Sequence, residues 1–519
     1  MAKRIVVAIL LLGLGLVGFV RPHADASTLR STGPMTVTKV ERLDTKLNRS
    51  PTGRPTLMAD EKPFFPIGVT YHFTRHRGQW DDDLRLMRAM GLNTVRADMA
   101  WRDIVPYLEG NYQFGILDEF MDKAAANGLY VVPVFSYATL DYNTPWWFWA
   151  FYQGWGMVGA DGAGPWGDYP SINHPDYQRL LKDYIRETVK HIRNHPATLA
   201  YQILNEPHYP KRPLSDYSDP TVSAFRAWSA QQFRSIDLLN KRWLLDYRSF
   251  DEIQPPREAV FERQTGEDAG SAGEAERWSA WREFAYYNLS SFVEELAETV
   301  RREDPYHAIL VSEMSWWWWG EQPTTGVSPA HIYSAADVVG FDVYPEGGKH
   351  ADYYGLNADL LYRLWERPVW VTELNRKDGN PTSAEIKGFT ARAVERGATG
   401  VFYFQWRDTW SDGGAYGLLD ARGNPKKQFS AFEATVDWLT HNAERLLSNA
   451  LPTPDTFLIW PSQGVATIPG QASPAHEVYR TALRLSQGGL RVGLIPEELA
   501  PVPAPKPRQE IYHPTRGAR

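Results

Sequence analysis

Eight apolar runs of strand length, alternating with amphipathic helical stretches, predict an α/β fold for this 519-residue chain. The expected architecture is a (β/α)8 TIM barrel with long βα loops and a small C-terminal α/β fragment. Strands are expected at 65–71, 94–97, 130–137, 199–204, 309–313, 338–344, 369–373 and 401–406. Each is a short apolar run bounded by polar or turn-forming residues. Between them, helical periodicity marks 81–90, 116–127, 176–194, two long stretches within 221–303, then 358–365, 384–396 and 428–447. Two excursions, 142–170 and 207–275, leave from strand C-termini, where barrel enzymes build their sites. The rival is an open doubly wound sheet, but no glycine-rich phosphate loop follows the first strand.

The flanks divide the rest. Lys3 and Arg4 precede an apolar run at 5–20, and Ala24-Asp25-Ala26 offers a small-x-small cleavage site. Residues 1–26 therefore read as a secretory signal, implying a secreted or periplasmic protein; the alternative is an uncleaved membrane anchor. That run falls short of the ~20 residues a spanning helix needs. Its Gly13-x-Gly15-x-x-Gly18 follows no strand, so the dinucleotide reading is discarded. Residues 27–60 read as a linker and N-terminal segment, 61–450 as the barrel, 451–500 as a partial α/β domain and 501–519 as a disordered tail.

Composition narrows the function. Lys and Arg number 55 against 62 Asp and Glu, a net charge of −7, so no basic field invites nucleic acid. Cysteine is absent, which excludes disulfides, thiolate nucleophiles and Cys-ligated metals. The 21 Trp, 26 Tyr and 22 Phe suggest flat surfaces for a sugar.

Polar residues expected at strand ends are Tyr71, Arg96, Tyr137, Asn205 with Glu206, Glu313, Tyr344, Glu373 and Trp406. Glu206 and Glu373 close the fourth and seventh strands, which face each other across a barrel mouth. Glycoside hydrolysis needs such a pair: one acid protonates the leaving oxygen, and one carboxylate meets the anomeric carbon. The alternative is an internal ion network in which both are merely paired to Arg96. Glu313 stands open between a third sugar-contacting carboxylate and a partner for Arg96. In the four-Trp run 316–319, Trp317 is a candidate subsite platform. The loop bearing Trp146, Trp147, Trp149, Trp155 and Trp166 reads as a sugar-stacking lid or as a hydrophobic plug, the lid being favoured. His72 and His76 lack further ligands for a metal.

The residues also carry a resemblance. An Asn-Glu pair after strand four and a Glu after strand seven mark the clan of retaining (β/α)8 glycoside hydrolases. More closely, the chain resembles the family 42 β-galactosidases across roughly 65–445. The resemblance rests on "QWDDDLRLMRAMGLNTVRADMAWRDIVPYLEGNYQFGILDEFMDKAAANGLYVVPV", then "IDLLNKRW" with "YRSFDEIQPPR", "DVVGFDVYP", and "ERGATGVFYFQWR" with "YGLLDARGNPK", in collinear order. It implies Glu206 as acid/base, Glu373 as nucleophile, Asn205 on the sugar 2-hydroxyl, Arg96 and Tyr344 on the nucleophile, and Trp406 flooring the −1 subsite. Tyr71 and Glu313 join these as substrate-binding candidates from their strand-end positions. Physical chemistry agrees: Arg96 and a Tyr344 hydroxyl favour a charged nucleophile, and partial burial beside it keeps the acid protonated. Retention requires the carboxyls ~5–5.5 Å apart.

Departures bear on the substrate. The strand-eight loop "WRDTWSDGGAYGLLD" lacks the Glu and His with which the family usually grips galactose, and "ELNRKDGNPTS" lacks the usual Trp after the nucleophile. The family's zinc-binding cysteines are absent, and 457–500 matches only the first part of its trimerisation domain. The expectation is a retaining β-glycosidase of β-galactosidase type, acting on oligo- or polysaccharide with no cofactor and no metal. Kept beside it are a hydrolase or transglycosylase of another β-linked glycan, glucan or mannan, and a non-catalytic carbohydrate-binding barrel. Oligomeric state is left open.

Overall fold

The computed structural model describes residues 39–43, 45–49, 54–135, 143–152, 154–164, 166–209, 216–257, 272–315, 325–346, 352–409, 413–461, 474–497 and 511–512. The signal segment, Tyr137, and the 316–319 run with Trp317 lie outside them. Eight parallel strands close a barrel in chain order: β1 (Ile67–Tyr71), β2 (Thr94–Met99), β3 (Tyr130–Phe135), β4 (Ala200–Ile203), β5 (Ala308–Glu313), β6 (Val338–Val343), β7 (Val369–Leu374) and β8 (Ala398–Tyr403). β8 pairs with β1 through Val401 opposite Ile67. All eight expected strands are present, but β8 ends at Tyr403 instead of running to Trp406.

Helices α1 (Trp80–Met90), α2 (Gly115–Ala126), α3 (Pro175–Ile192), α4 (Asp219–Phe233), α5 (Ala272–Glu303), α6 (Asp352–Trp365), α7 (Ser383–Glu395) and α8 (Phe429–Ser448) fill the connections. In α3 a single stripe is buried, Tyr177, Leu180, Leu181, Tyr184, Ile185 and Val189, the spacing of one helical face. Gly91 ends α1 at φ 101°, returning its N–H to Met87 and Arg88, a left-handed cap that glycine adopts without cost.

Alternation along the strands decides what enters the barrel. Gly68, Gly340, Leu310, Ser312 and Phe402 share the interior: a Cβ on Gly68 would meet the Phe402 ring at 2.6 Å, and one on Gly340 would meet Ser312 at 2.8 Å. Their neighbours of opposite parity, Tyr71 and Glu313 among them, face the helices. An irregularity between β6 and β7 breaks the alternation near the mouth. Phe341 sits opposite Val371, yet Asp342 sits opposite Glu373, so β7 carries an extra residue there. Such bulges re-aim side chains beside active sites.

Below the barrel, the described residues within 27–60 form more than a linker. An antiparallel hairpin, Thr45–Arg49 with Pro55–Ala59, plugs the base with Leu57 and Ala59 against Leu199, Leu310, Trp370 and Phe402. The Thr45 hydroxyl donates to the Leu199 carbonyl at 3.1 Å and accepts from the Ala308 amide at 2.9 Å. The C-terminal fragment is β9 (Thr456–Trp460), α9 (Pro474–Gln487) and β10 (Val492–Pro496). Ile511 and Tyr512 add a third parallel strand beside β9, so this part of 501–519 is paired instead of disordered. The fragment docks on α6, where Tyr353 stacks on Tyr479 at 4.1 Å.

The Trp-rich loop is mainly core. Trp147 and Trp155 are buried against Trp101 and Phe148, and the Trp147 indole donates to the Val105 carbonyl at 2.7 Å. Trp146 and Phe151, 61% and 62% exposed, still offer faces to solvent, and Trp149 is partly exposed, so the described part of the loop is a plug with an aromatic outer edge rather than a lid alone. The 207–275 excursion likewise spends Trp228 and Trp243 on a cluster of its own with Trp278, Trp281 and Phe225.

Candidate active site

Glu373 lies at the mouth between two donors. Arg96 Nη1 donates to its Oε1 at 2.8 Å, and the Tyr344 hydroxyl donates to its Oε2. Arg96 is held from every side: Nε donates to Gln202 at 2.7 Å, Nη1 to the Thr70 hydroxyl at 2.9 Å and Nη2 to Asn205 Oδ1. A guanidinium with this many acceptors is fixed in direction as well as charge.

The chain after β4 turns sharply. Leu204 and Glu206 both take left-handed backbone, φ 57° and 47°, uncommon for residues with side chains and concentrated at functional sites. Gln202 Nε2 secures the turn through the Leu204 carbonyl at 3.0 Å, and His208 Nδ1 lies 2.5 Å from the Glu206 carbonyl. Asn205 Oδ1 accepts from both Arg96 and Gln202, leaving its amide nitrogen to donate to a ligand hydroxyl.

Glu206, Asp342 and Glu373 place one carboxyl oxygen each within 4.8 Å of the others. That approach of one oxygen from each suits a nucleophile and its acid partner better than the ~6.5–9.5 Å carboxyl separation of an inverting pair. Among the described residues this is also the one cluster with a metal ligand's disposition. Both oxygens of Glu373 are already engaged by Arg96 and Tyr344, so a cation would have to compete with a guanidinium.

Removal from water pushes Glu206 well above the usual carboxyl range, and the charges of Glu373 and Asp342 and a hydrogen bond with Asp342 push the same way. Asp342 is pushed up to about 8, by burial and then by Glu373, with Arg96, the Thr372 hydroxyl and Glu206 opposing. Thr372 donates to its Oδ1 at 2.6 Å. Two carboxyls in hydrogen-bond contact require one of them to carry a proton.

Of the expected site residues, Arg96, Asn205, Glu206, Tyr344 and Glu373 come together. Tyr71 does not. It is 1% exposed, faces the helix layer by parity, and donates to Asp83 at 2.7 Å within the buried Asp83–Arg407 pair. Glu313 is wholly buried on the same outward parity, accepting from the Ser315 amide at 2.7 Å and the Tyr333 hydroxyl at 3.4 Å. Trp406 is 0% exposed and packs on Phe429, so it floors no subsite. With β8 ended at Tyr403, Phe404 is a partly exposed ring at the mouth, edge-on to Tyr344 and His72 at 6.1 and 6.0 Å. His72 takes Asp98 at 3.5 Å, while His76 stacks on Tyr71, its pKa lowered to about 4 by burial and the Arg407 charge. Asp342, Gln202, Thr70 and Phe404 were not singled out from the sequence.

A closed (β/α)8 barrel with these carboxyls after β4 and β7 has the architecture of the barrel glycoside hydrolases. The chain belongs to glycoside hydrolase family 42, whose family profile, described as Beta-galactosidase, matches residues 70–439. The β-galactosidase LacZ of Heyndrickxia coagulans is 26% identical over 349 residues, 65% of this chain and 49% of that protein. Bga of Halorubrum lacusprofundi is 25% identical over 419 residues, 72% of this chain and 56% of that protein. The chain thus spans about half the length of the curated relatives it matches. Among solved structures, the β-galactosidase from the psychrophilic Marinomonas ef1 superposes with TM-score 0.68 at 18% identity, covering 83% of this chain and 70% of that one. A catalytic mutant of Gan42B, a family 42 β-galactosidase from G. stearothermophilus, gives 0.69 at 18%, covering 84% and 66%. At these identities the structures share the fold.

Proposed function

We propose that this protein is a retaining β-glycosidase that cleaves β-galactosides or β-galactose-containing glycans. Glu206 protonates the leaving oxygen, Glu373 attacks the anomeric carbon, and Glu206, now a carboxylate, deprotonates the water that releases the sugar. Atoms balance: one glycosidic bond and one water become two hydroxyl-ended products. The observation that carries this reading is the approach of Glu206 and Glu373 within 4.8 Å, with Glu373 fixed by Arg96 and Tyr344. The names of the relatives supply the galactoside.

A specific observation favours a second substrate. Of the acidic residues described in the strand-eight loop, Asp408 is tied to Lys426 at 2.9 Å and to the Gly417 amide at 2.7 Å, and Asp420 accepts from the Asn424 amide at 2.8 Å, so neither is offered to a sugar. A β-linked glucan or mannan is the alternative substrate, by hydrolysis or transglycosylation. We also propose export, on the apolar run at 5–20 and the Ala24-Asp25-Ala26 site. Among the described residues no helix is long and apolar enough to cross a membrane.

The test is a panel of aryl β-glycosides and β-linked polysaccharides, with E373Q as control. Aryl galactoside cleavage lost in E373Q supports the first reading, and release of gluco- or manno-oligosaccharides supports the second. Binding without products in the parent would leave a carbohydrate-binding barrel.

A further inference from the structure

A cavity of about 420 Å³ lies away from the barrel mouth, between α7, α8, the connector that follows α8 and the C-terminal fragment. Five arginines line it, Arg54, Arg392, Arg396, Arg445 and Arg491, against the carboxylates Asp359 and Glu395. Both carboxylates are already engaged: Asp359 accepts from Arg363 at 2.9 Å and from the Leu494 amide at 3.0 Å, and Glu395 faces Arg392 at 3.5 Å. Four of the arginines have partners. Arg392 faces Asp352 at 3.6 Å, Arg396 donates to the Val492 carbonyl, Arg445 to Asn442 at 2.8 Å, and Arg491 pairs with Asp455 at 3.1 Å.

Arg54 has none. It follows the first strand of the basal hairpin, its residue is 5% exposed, and its Nε and Nη1 are buried without a hydrogen-bond acceptor. It also lines a second cavity of about 280 Å³, beside Tyr362 and Phe457. A buried guanidinium with no counter-charge is costly, and arginine's fork of donors fits an oxyanion in two-point contact. Burial pulls its pKa below the ordinary arginine value, as an absent counter-anion entails.

We propose that this cavity is a binding site for a small molecule bearing a phosphate or sulfate group, with Arg54 as the anchor and Arg491 and Arg396 at its walls. The volume lies within the ~300–1,000 Å³ of small-molecule sites and exceeds what a bare ion fills. Trp438, Leu451 and Pro452 supply apolar wall for the rest of such a molecule. Nothing in this site depends on the glycosidase reading, since no residue of the mouth takes part.

The test is thermal unfolding and titration calorimetry of the full chain with inorganic phosphate, inorganic sulfate and glucose 6-phosphate, each against chloride at equal ionic strength. The anions raise the melting temperature of the parent, and R54M binds them roughly tenfold or more weakly, the loss expected from one charge-assisted pair. Without anion, R54M melts no lower than the parent, because it removes an unpaired buried charge; R491Q, at the wall, weakens binding without that stabilisation. Tighter binding of glucose 6-phosphate than of the inorganic ions identifies an organic ester as the ligand, and equal binding identifies the free ion. No anion-specific shift in the parent overturns the proposal, as does a shift that R54M retains in full.

Discussion

Arg96 Nη1 stands 2.8 Å from Glu373 Oε1, with the two side chains 2% and 5% exposed, so the counter-charge of the proposed nucleophile is sealed within the barrel. Breaking a buried pair by deleting one partner costs ~3–5 kcal/mol, because the other charge is left behind. E373A and E373Q should both abolish turnover of aryl β-galactosides. E373A should also melt markedly lower, whereas E373Q keeps an acceptor for Arg96 and stays nearer the parent. Parent-like turnover by either variant would remove Glu373 from the nucleophile's role.

In the proposed mechanism Glu206 gives a proton and then takes one, and only the first task depends on the leaving group. In E206Q, glycosides with poor leaving groups should lose roughly 10²–10⁴-fold in kcat/KM, the worth of general acid catalysis. Dinitrophenyl glycosides, which need no protonation, should lose far less. An equal loss across a leaving-group series refutes the acid assignment.

Much of this site was legible from the order of residues alone. Glu206 and Glu373 each end an apolar run, and a carboxylate there is not a surface residue. Arg96 sits inside one. Parity at a strand end was not legible: one residue of slip turns a side chain from the mouth to the helices, and Tyr71 and Glu313 fall on the outward side. Asp342 was hidden for a related reason. Its importance comes from the extra residue in β7 that sets Glu373 opposite it, a register visible only once β6 and β7 are paired. The abundance of tryptophan misled as well. Trp147, Trp155, Trp228 and Trp243 are wedges of core under long loops, since an excursion of such length must carry its own apolar cluster.

Asp342 should govern the pH response. Its charge and its hydrogen bond both push Glu206 upward, so D342N should move the alkaline limb of kcat/KM to lower pH. Stability follows from the same residue. A carboxyl whose folded pKa is raised, here from 3.8 to about 8, contributes stability that is fully present below the unfolded value. That contribution is lost as pH rises, until the folded group itself ionises near 8. Relative to the parent, D342N should therefore gain melting temperature steadily between about pH 4 and 8 and no further above. A pH-independent difference, together with an unmoved alkaline limb, refutes the role.

Phe404 and Trp406 separate contact from packing. Phe404 is a partly exposed ring beside Tyr344, and an aromatic face there suits the apolar face of a pyranose. F404A should raise KM or lower kcat/KM several-fold, roughly the ~0.5–1.5 kcal/mol of one aromatic contact, with a near-parental melting temperature. W406A empties a wholly buried site against Phe429 and should cost ~3–5 kcal/mol of stability, the usual range for a buried Trp. W406F fills part of that space and should restore most of the stability with parental kinetics. The measurement is a pair of denaturant titrations set beside Michaelis–Menten curves for all three variants. A kinetic defect confined to W406F, with F404A unaffected, returns the subsite floor to Trp406, because a merely structural tryptophan has no reason to alter KM once the fold is intact.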